Sequence, residues 1–240
     1  FIKNISKKIK IKKFINWWEN QQVDKAYNLA LSTFYPNTKV VGYLGYSPRN
    51  YELHINPIDI DIVTSTIPKE INVISNSVKS IIKKHIPIIE VKTAPAFRYY
   101  YLENLKKRNI QNINKILVTL PINHNDSLFI VQKIINFLKE TDNYFITFKP
   151  HPTMSIKTFN DYLNFKNIKF TSNNLIDLFQ NTDLTITSMS ITAIESLYLN
   201  IPVIICETYS ILDFNPISPE LNNSLYEYNN FNQKIEESIN

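Results

Sequence analysis

The sequence is poor in glycine and cysteine: among its 240 residues are only two glycines, Gly42 and Gly45, and one cysteine, Cys206. Phosphate-binding loops of the G-x-G-x-x-G and Walker types need glycines at fixed spacings that this chain does not have, so a dinucleotide oxidoreductase or a P-loop kinase is not expected. A single cysteine cannot form an internal disulfide, which agrees with a reducing, cytoplasmic compartment. Because Cys206 follows an apolar run, we expect it to pack in the core rather than act as a nucleophile.

Long hydrophobic runs are also missing. Lys, Asn, Asp or Pro interrupts every isoleucine-rich stretch before it reaches the roughly 18 to 20 apolar residues of a bilayer-spanning helix. Hydrophobic residues make up 44% of the chain, which is ordinary for a folded protein of one large or two small domains. Because the chain begins at Phe1 rather than at Met, we expect it to be part of a longer polypeptide.

The net charge of +5 is concentrated at the start of the chain. Two interpretations remain open: a solvated helix or strand face, and peripheral contact with an anionic inner membrane. No nucleic-acid partner is expected, because aromatic residues are not regularly interleaved with these lysines. Six lysines fall within the first thirteen residues: Lys3, Lys7, Lys8, Lys10, Lys12 and Lys13.

From residue 115 onward, short apolar runs alternate with amphipathic stretches of helix length, which predicts a parallel sheet with crossover helices. Five strands in this order form a doubly wound half, whose ligands are expected beyond the carboxyl ends of the strands. The helix over 126–140 is expected to use Asp126 as its N-cap. The predicted strands are 116–120, 144–148, 168–170, 184–187 and 203–205, and the other predicted helices are 157–165, 175–179 and 191–199.

A similar but partial series precedes residue 100 and predicts a second α/β domain. Strands are predicted at 39–43 and 60–64 and a helix at 24–31, whereas 71–82 is ambiguous. A proline- and aromatic-rich connection follows, so we predict two domains, 1–110 and 111–240.

Residues 148–152, "FKPHP", follow the second predicted strand of the C-terminal half. Pro150 and Pro152 stiffen the turn around His151, while Lys149 supplies a cation beside it, a combination that suits a phosphate group. The alternative is an ordinary turn with no ligand.

A second polar segment follows the strand that ends at Thr187. Ser188, Ser190 and Thr192 surround the predicted start of a helix, where free N–H groups and small hydroxyls attract phosphate oxygens. Glu195, five residues after Ser190, could accept hydrogen bonds from a ribose diol. Alternatively, the serines are N-caps and Glu195 faces solvent or favours the helix start.

Taken together, K-P-H-P, then T-S-x-S-x-x-x-x-E-S-L, then I-P-V-I resemble the donor half of GT-B glycosyltransferases that build bacterial surface polysaccharides, over residues 115 to 206. The groups resembled are the polysialyltransferases, the capsule Kdo transferases and the CDP-glycerol glycerophosphotransferases. The resemblance implies an α/β, GT-B-like fold of two Rossmann-like halves, the N-terminal one incomplete here. It also implies a glycosyltransferase without cofactor or metal, whose donor is a CMP- or CDP-linked sugar and whose acceptor is a glycan or lipid-linked glycan.

The resemblance assigns the nucleotide and its phosphates to His151, Ser188 and Ser190, and the ribose to Glu195. We expect Lys149, Pro152 and Thr192 to complete this donor site, and His151 also to stabilise the departing phosphate. His124, in the loop after the first strand of this half, is a further candidate for the same cleft.

The segments "WWENQQVDKAYNLAL" and "VVGYLGYSP" more weakly resemble the acceptor half of such enzymes, although those often carry His where this chain has Leu44 or Gly45. Glu19 is the first candidate for general base, and a solvated or capping role is the alternative. His54, Asp59 and Asp61 are the competing candidates; the strand predicted around 60 would place both aspartates on one face.

Two other functions fit the same nucleotide site. A nucleotide-sugar epimerase or related GT-B hydrolase would use it without a glycan acceptor. A non-catalytic subunit would bind a nucleotide or glycan and turn nothing over.

Overall fold

The computed structural model describes residues 2–5, 8–48, 52–138, 143–163, 165–206, 208 and 216–217. The chain divides into two compact units, Phe1–Tyr100 and Tyr101–Asn240. This division lies ten residues before the boundary we placed at residue 110. Lys7 of the basic start and Glu140, at the end of the helix predicted over 126–140, lie outside the described residues.

The first unit is a four-stranded parallel sheet in the order β1-β2-β3-β4. This confirms the predicted strand at 39–43 and the predicted helix at 24–31, and it resolves the ambiguous stretch 71–82 into a strand followed by a helix. The elements are α1 (Ile2–Ile5), β1 (Lys13–Trp17), α2 (Gln22–Phe34), β2 (Lys39–Leu44), α3 (Asp59–Val63), β3 (Glu70–Val73), α4 (Asn76–His85) and β4 (Glu90–Thr93), with a 3₁₀ turn at Leu53–Ile55.

The predicted strand over 60–64 is wrong, because this stretch lies in α3. The Asp61 carboxylate accepts a hydrogen bond from the backbone N–H of Ile58 at 3.1 Å, which caps the start of the helix. Lys25 on α2 holds the same carboxylate at 2.7 Å. Asp61 is therefore buried while Asp59 is exposed, so the two aspartates do not share a face as the strand prediction required.

The second unit is a five-stranded parallel sheet in the order β7-β6-β5-β8-β9. All five strands predicted from residue 115 onward are confirmed to within one residue at each end. The first strand along the chain, β5, lies in the middle, which is the arrangement of one Rossmann half. The elements are β5 (Lys115–Thr119), α5 (His124–Leu138), β6 (Phe145–Lys149), β7 (Ile168–Phe170), α6 (Leu175–Phe179), β8 (Leu184–Thr187), α7 (Thr192–Tyr198) and β9 (Val203–Ile205), with a 3₁₀ helix at Ile156–Tyr162. A further 3₁₀ helix, Phe97–Asn104, includes residues from both sides of the division between the units.

Two helix predictions in this unit need correction. The N-cap of α5 is Asn123, whose Oδ1 accepts from the backbone N–H groups of Asn125 at 2.9 Å and Asp126 at 3.2 Å. Asp126 lies in the first turn instead. The α-helix predicted over 157–165 is a 3₁₀ helix that begins at Ile156, with Phe159 in a non-helical conformation.

Each unit has its own core. In the first, the buried side chains of β2, β3 and α4 pack around Trp18, which is fully buried. In the second, β5, β6 and β8 pack against α5, and Cys206 lies in this core as expected. Among the described residues, no helix is both long and apolar enough to cross a membrane.

Candidate functional site

The second sheet reverses its strand order between β5 and β8, and the end of each strand carries a threonine. Thr119 Oγ1 donates a hydrogen bond of 2.6 Å to Thr187 Oγ1, and both residues are buried. Open α/β sheets bind their ligands at this reversal point, outside the carboxyl ends of the strands. The loops after β5, β6 and β8 therefore surround the candidate donor site. Because β5 lies between the other two strands, the "FKPHP" loop and the serine loop begin about 10 Å apart, two strand spacings.

His151 lies in a tight turn after β6. Its Nδ1 lies 2.7 Å from Thr153 Oγ1 and accepts from the Thr153 backbone N–H at 3.3 Å, while its carbonyl accepts from the Met154 N–H at 2.8 Å. A backbone N–H can only donate, so in the neutral imidazole the proton sits on Nε2. Nε2 is then the nitrogen that can donate to a ligand oxygen. Thr153, which the sequence analysis did not single out, thereby holds the His151 ring in this orientation.

Lys149 ends β6 beside this turn. Its ammonium donates a long hydrogen bond of 3.4 Å to the carbonyl of Ser172, and it has no carboxylate partner within the part of the chain that the structure describes. Burial lowers the pKa of Lys149, because desolvation disfavours the charged form. An anionic ligand would relieve this cost by pairing with the ammonium.

Ser190 lies two residues before the start of α7. Its Oγ accepts from the Thr192 backbone N–H at 3.2 Å and donates to Thr192 Oγ1 at 2.9 Å. The Ser190 hydroxyl therefore binds the N–H of the first residue of α7 without standing at the N-cap position, and two of the hydroxyls expected at the donor phosphate hydrogen-bond to each other. Their contact with a donor stays a prediction.

Unlike the Ser190 hydroxyl, the Ser188 hydroxyl makes no hydrogen bond to the start of α7, and Glu195 is buried rather than exposed to solvent. Ser188 is 2% exposed, and its hydroxyl has no hydrogen-bond partner among the described residues. Glu195 is 8% exposed in the first turn of α7, so the alternative in which it faces solvent is wrong. Pro152 and His124 are both exposed, the latter as the first residue of α5. Their roles in binding stay predictions.

Glu19 lies in the first unit, two residues after the end of β1. One carboxylate oxygen accepts from Trp17 Nε1 at 2.6 Å and the other from Gln21 Nε2 at 2.8 Å. Each oxygen keeps a second lone pair, so the carboxylate can still accept a hydroxyl proton. Glu19 is partly exposed and does not cap α2.

Asp24 holds the Glu19 loop in place, and the sequence analysis did not single it out. Its Oδ2 accepts from the backbone N–H groups of Glu19 at 2.9 Å and Gln21 at 3.1 Å, and it is 6% exposed. Its position three residues after Gln21, at the start of an amphipathic helix, is the signal that could have found it. The competing bases are placed differently: Asp61 is buried and paired with Lys25, whereas His54 and Asp59 are exposed.

At both glycines of the first unit, a tryptophan side chain approaches the backbone too closely to leave room for a Cβ atom. A side chain at Gly42 would come within 2.9 Å of Trp18, and one at Gly45 would come within 2.4 Å of the Trp17 ring. Leu44 is fully buried. At these positions packing therefore explains the residues that depart from the acceptor-half pattern.

Two cavities in the described part of the chain lie away from the carboxyl edges. One of about 340 Å³ is lined by residues that precede β2, β3 and β4, such as Thr38, Lys69 and Ile89. Another of about 350 Å³ lies against β5 and α6 near Lys115 and Asp177. Because ligands of open parallel sheets bind at the carboxyl edge, we place the candidate site by topology rather than by volume. Among the residues that the structure describes, no three His, Cys, Asp or Glu side chains are grouped to hold a metal ion.

No protein-family model and no curated protein matches the chain. Solved structures match it in fold. MnaA of Staphylococcus aureus with UDP matches at 14% identity and a TM-score of 0.67, covering all of this chain and 68% of that one. A Listeria monocytogenes protein assigned to the UDP-N-acetylglucosamine 2-epimerases matches at 12% and 0.66, with coverages of 99% and 68%. The glycosyltransferase of kitacinnamycin matches at 11% and 0.56, with coverages of 94% and 65%.

Other matching structures are much longer than this chain. It spans 48% of the accessory secretory protein of Streptococcus pneumoniae and 50% of Gap123, a glycosylation-associated complex of Streptococcus agalactiae. Sequence identities of 11 to 14% with these structures show a shared fold and nothing further. The chain therefore has the GT-B-like fold that the sequence predicted, with parallel-sheet halves of four and five strands.

Proposed function

We propose that this chain belongs to a GT-B glycosyltransferase that moves a sugar from a nucleotide-activated donor to a surface glycan. The observation that carries the proposal is Lys149, a partly buried ammonium with a lowered pKa and no carboxylate partner among the described residues, at the carboxyl edge beside His151. An anionic phosphate is the ligand that suits this pair. A CMP- or CDP-linked donor stays our choice, because it is the one that the motif resemblance implies.

The proposed reaction is a displacement at the anomeric carbon. The acceptor hydroxyl oxygen forms a bond to that carbon, the bond from the carbon to the phosphate oxygen breaks, and its electron pair leaves with the phosphate. Lys149 and His151 Nε2–H stabilise the resulting charge. Glu19 takes the acceptor proton, and Ser188, Ser190, Thr192 and Glu195 hold the nucleotide. No metal is needed for these steps, so we expect turnover to persist in EDTA.

Calorimetric titration with CMP, CDP, UDP and GDP tests the proposal. We expect one nucleotide to bind, and its affinity to fall at least tenfold in His151→Ala, because a charge-assisted hydrogen bond is worth ~1.5 to 3 kcal/mol. His85→Ala, which removes an exposed histidine at the end of α4 in the first unit, is the matched control and should bind like the wild type. Failure of all four nucleotides to bind would reject the proposed glycosyltransferase function and favour a non-catalytic subunit.

The second candidate function is a nucleotide-sugar epimerase. The likeness to MnaA and to the Listeria protein supports it, with TM-scores of 0.67 and 0.66 over nearly the whole chain. Product analysis separates the candidates when the full-length protein is supplied with a nucleotide-sugar. Release of the nucleotide that requires a glycan acceptor supports transfer, whereas an isomerised nucleotide-sugar formed without acceptor supports epimerisation.

Peripheral contact with an anionic membrane and a cytoplasmic location belong to the same proposal. Five described lysines of the start of the chain, Lys3, Lys8, Lys10, Lys12 and Lys13, are exposed. Such a cluster attracts anionic lipid, and the attraction is screened by salt. We expect the protein to pellet with phosphatidylglycerol vesicles at low salt and to be released at high salt. Binding to neutral vesicles alone, or no binding, would reject membrane contact.

A further inference from the structure

Three aromatic side chains form a continuous row at the carboxyl edge of the first sheet: Trp17, Tyr43 and Phe97. The ring centroids of Trp17 and Tyr43 lie 5.7 Å apart, and those of Tyr43 and Phe97 also lie 5.7 Å apart. The outer members are largely exposed, Trp17 by 44% and Phe97 by 66%. This aromatic row adds little to the core of the unit.

The row is fixed by hydrogen bonds at its centre. The Tyr43 hydroxyl donates to the carbonyl of Pro95 at 2.8 Å and accepts from the backbone N–H of Phe97 at 3.1 Å. Tyr43 thereby ties the segment after β4 to β2. Trp17 and Tyr43 are also register partners in β1 and β2, so their rings stand on the same face of the sheet.

The Trp17 ring is held from two sides. Its Nε1 donates to Glu19 at 2.6 Å, and Gly45 leaves the space that the ring occupies, since a Cβ there would lie within 2.4 Å of it. Gln21 in turn donates to the second oxygen of Glu19 at 2.8 Å. An exposed, flat ring thus has a carboxylate and an amide fixed at its edge.

We infer that the aromatic row is a saccharide-binding subsite, in which a pyranose ring stacks its C–H face on Trp17. The ring hydroxyls then reach Glu19 and Gln21, whose oxygens retain free lone pairs. A lipid chain fits less well, because it would desolvate the Glu19 carboxylate without offering it a donor. The inference rests on the proposed function in one respect, that the saccharide is part of the acceptor glycan.

The two tryptophans of the chain provide a test with an internal control. Trp17 lies in the row, whereas the adjacent Trp18 is fully buried. We would incorporate 5-fluorotryptophan into the full chain, assign the two ¹⁹F resonances with Trp17→Phe, and titrate maltotriose, chitotriose and sialic acid trimer in separate samples. At least one trisaccharide should shift the Trp17 resonance saturably at millimolar concentration and leave that of Trp18 in place. An unmoved Trp17 resonance with all three, or an equal shift of both, overturns the inference.

Variants then locate the contact. Trp17→Ala should abolish binding of the active trisaccharide, and Gln21→Ala should weaken it severalfold, both measured by calorimetry. Tyr100→Ala is the control, because Tyr100 is 63% exposed and lies outside the row. Unchanged binding in folded Trp17→Ala rejects the row as the subsite.

Nucleotide titrations of the same samples separate this inference from the proposed function. Nucleotide binding without trisaccharide binding leaves the donor site standing and rejects the subsite. Trisaccharide binding without nucleotide binding supports the subsite and rejects the donor site.

Discussion

Thr119 on β5 and Thr187 on β8 share a buried hydrogen bond of 2.6 Å at the point where the strand order of the second sheet reverses. We expect Thr119→Val to lower the free energy of unfolding by about 1 to 2 kcal/mol, because it leaves the buried Thr187 hydroxyl unpaired. Replacing both threonines by valine should cost less than the sum of the single changes. Urea denaturation of the four proteins measures the coupling, expected to be about 1 kcal/mol. Additive effects would show that the bond contributes nothing to stability.

Lys149 predicts a pH dependence of nucleotide binding. Burial lowers its pKa, so the free protein loses this proton at a lower pH than an ordinary lysine would. A bound phosphate favours the ammonium, so binding should take up a proton as the pH rises through the lowered pKa. Calorimetry of the full chain in two buffers of different ionisation enthalpy measures this uptake.

Two variants make the Lys149 prediction specific. Lys149→Met should abolish the proton uptake and weaken binding about tenfold or more. Lys169→Met, which removes an exposed lysine of β7, should change neither quantity. Proton uptake that survives in Lys149→Met would assign the titration to another group.

The sequence predicted the second unit better than the first, and the reason is physical. Strands such as β5 and β8 are buried on both faces, so they form continuous apolar runs that stand out from the helices between them. β1 and β4 lie at the edges of the first sheet, carry exposed and charged residues, and were not predicted. The alternation at 59–63 resembles a strand, but the capping carboxylate of Asp61 starts a helix there.

The sequence was sufficient to predict which candidate site residues lie at the carboxyl ends of strands. Lys149, His151 and Ser188 stand at carboxyl ends of strands because the alternation of elements placed them there. Hydrogen bonds between distant segments could not be predicted in the same way. Thr119 meets Thr187 across 68 positions, and Tyr43 meets Pro95 across 52. Such pairs depend on strand order and register, which a single sequence does not specify.

Glu70 predicts how the stability of the first unit responds to acid. Hydrogen bonds from Lys39 and Lys92 lower the pKa of Glu70 from 4.5 to about 2. Its contribution is therefore fully present above pH 4.5 and is lost as the pH falls toward 2. Because both lysines are about half exposed, we expect only about 1 to 2 kcal/mol.

Glu70→Gln should remove this contribution, which urea denaturation between pH 7 and pH 2.5 can follow. The stability difference from the wild type should be largest at neutral pH and shrink in acid. Glu90→Gln is the control, since Glu90 also pairs with Lys92 but is 58% exposed. A difference that stays constant with pH would mean that Glu70 acts through packing alone.

Ser188 and Ser190 predict opposite consequences of the same substitution. Ser190→Ala removes the hydrogen bond to the Thr192 N–H at the start of α7 and should lower the free energy of unfolding by ~1 kcal/mol. Ser188→Ala removes a buried hydroxyl without a partner among the described residues, so stability should hold or rise slightly. Nucleotide affinity should fall in Ser188→Ala if that hydroxyl turns to a bound donor. Thermal melts with and without nucleotide separate the two roles, and equal destabilisation by both changes would contradict this assignment.

Gly45 connects the packing of the first unit with the proposed saccharide subsite. A methyl group at this position would lie within 2.4 Å of the Trp17 ring, whose neighbours are Tyr43 and the Glu19 carboxylate. Because the ring is 44% exposed, it can rotate away from the sheet, so Gly45→Ala should displace Trp17 while the unit stays folded. The ¹⁹F resonance of Trp17 should then move while that of buried Trp18 stays near its wild-type position, and trisaccharide affinity should fall as far as in Trp17→Ala. Wild-type affinity in a variant with a displaced Trp17 resonance would show that the ring orientation, and with it the hydrogen bond to Glu19, does not matter for binding.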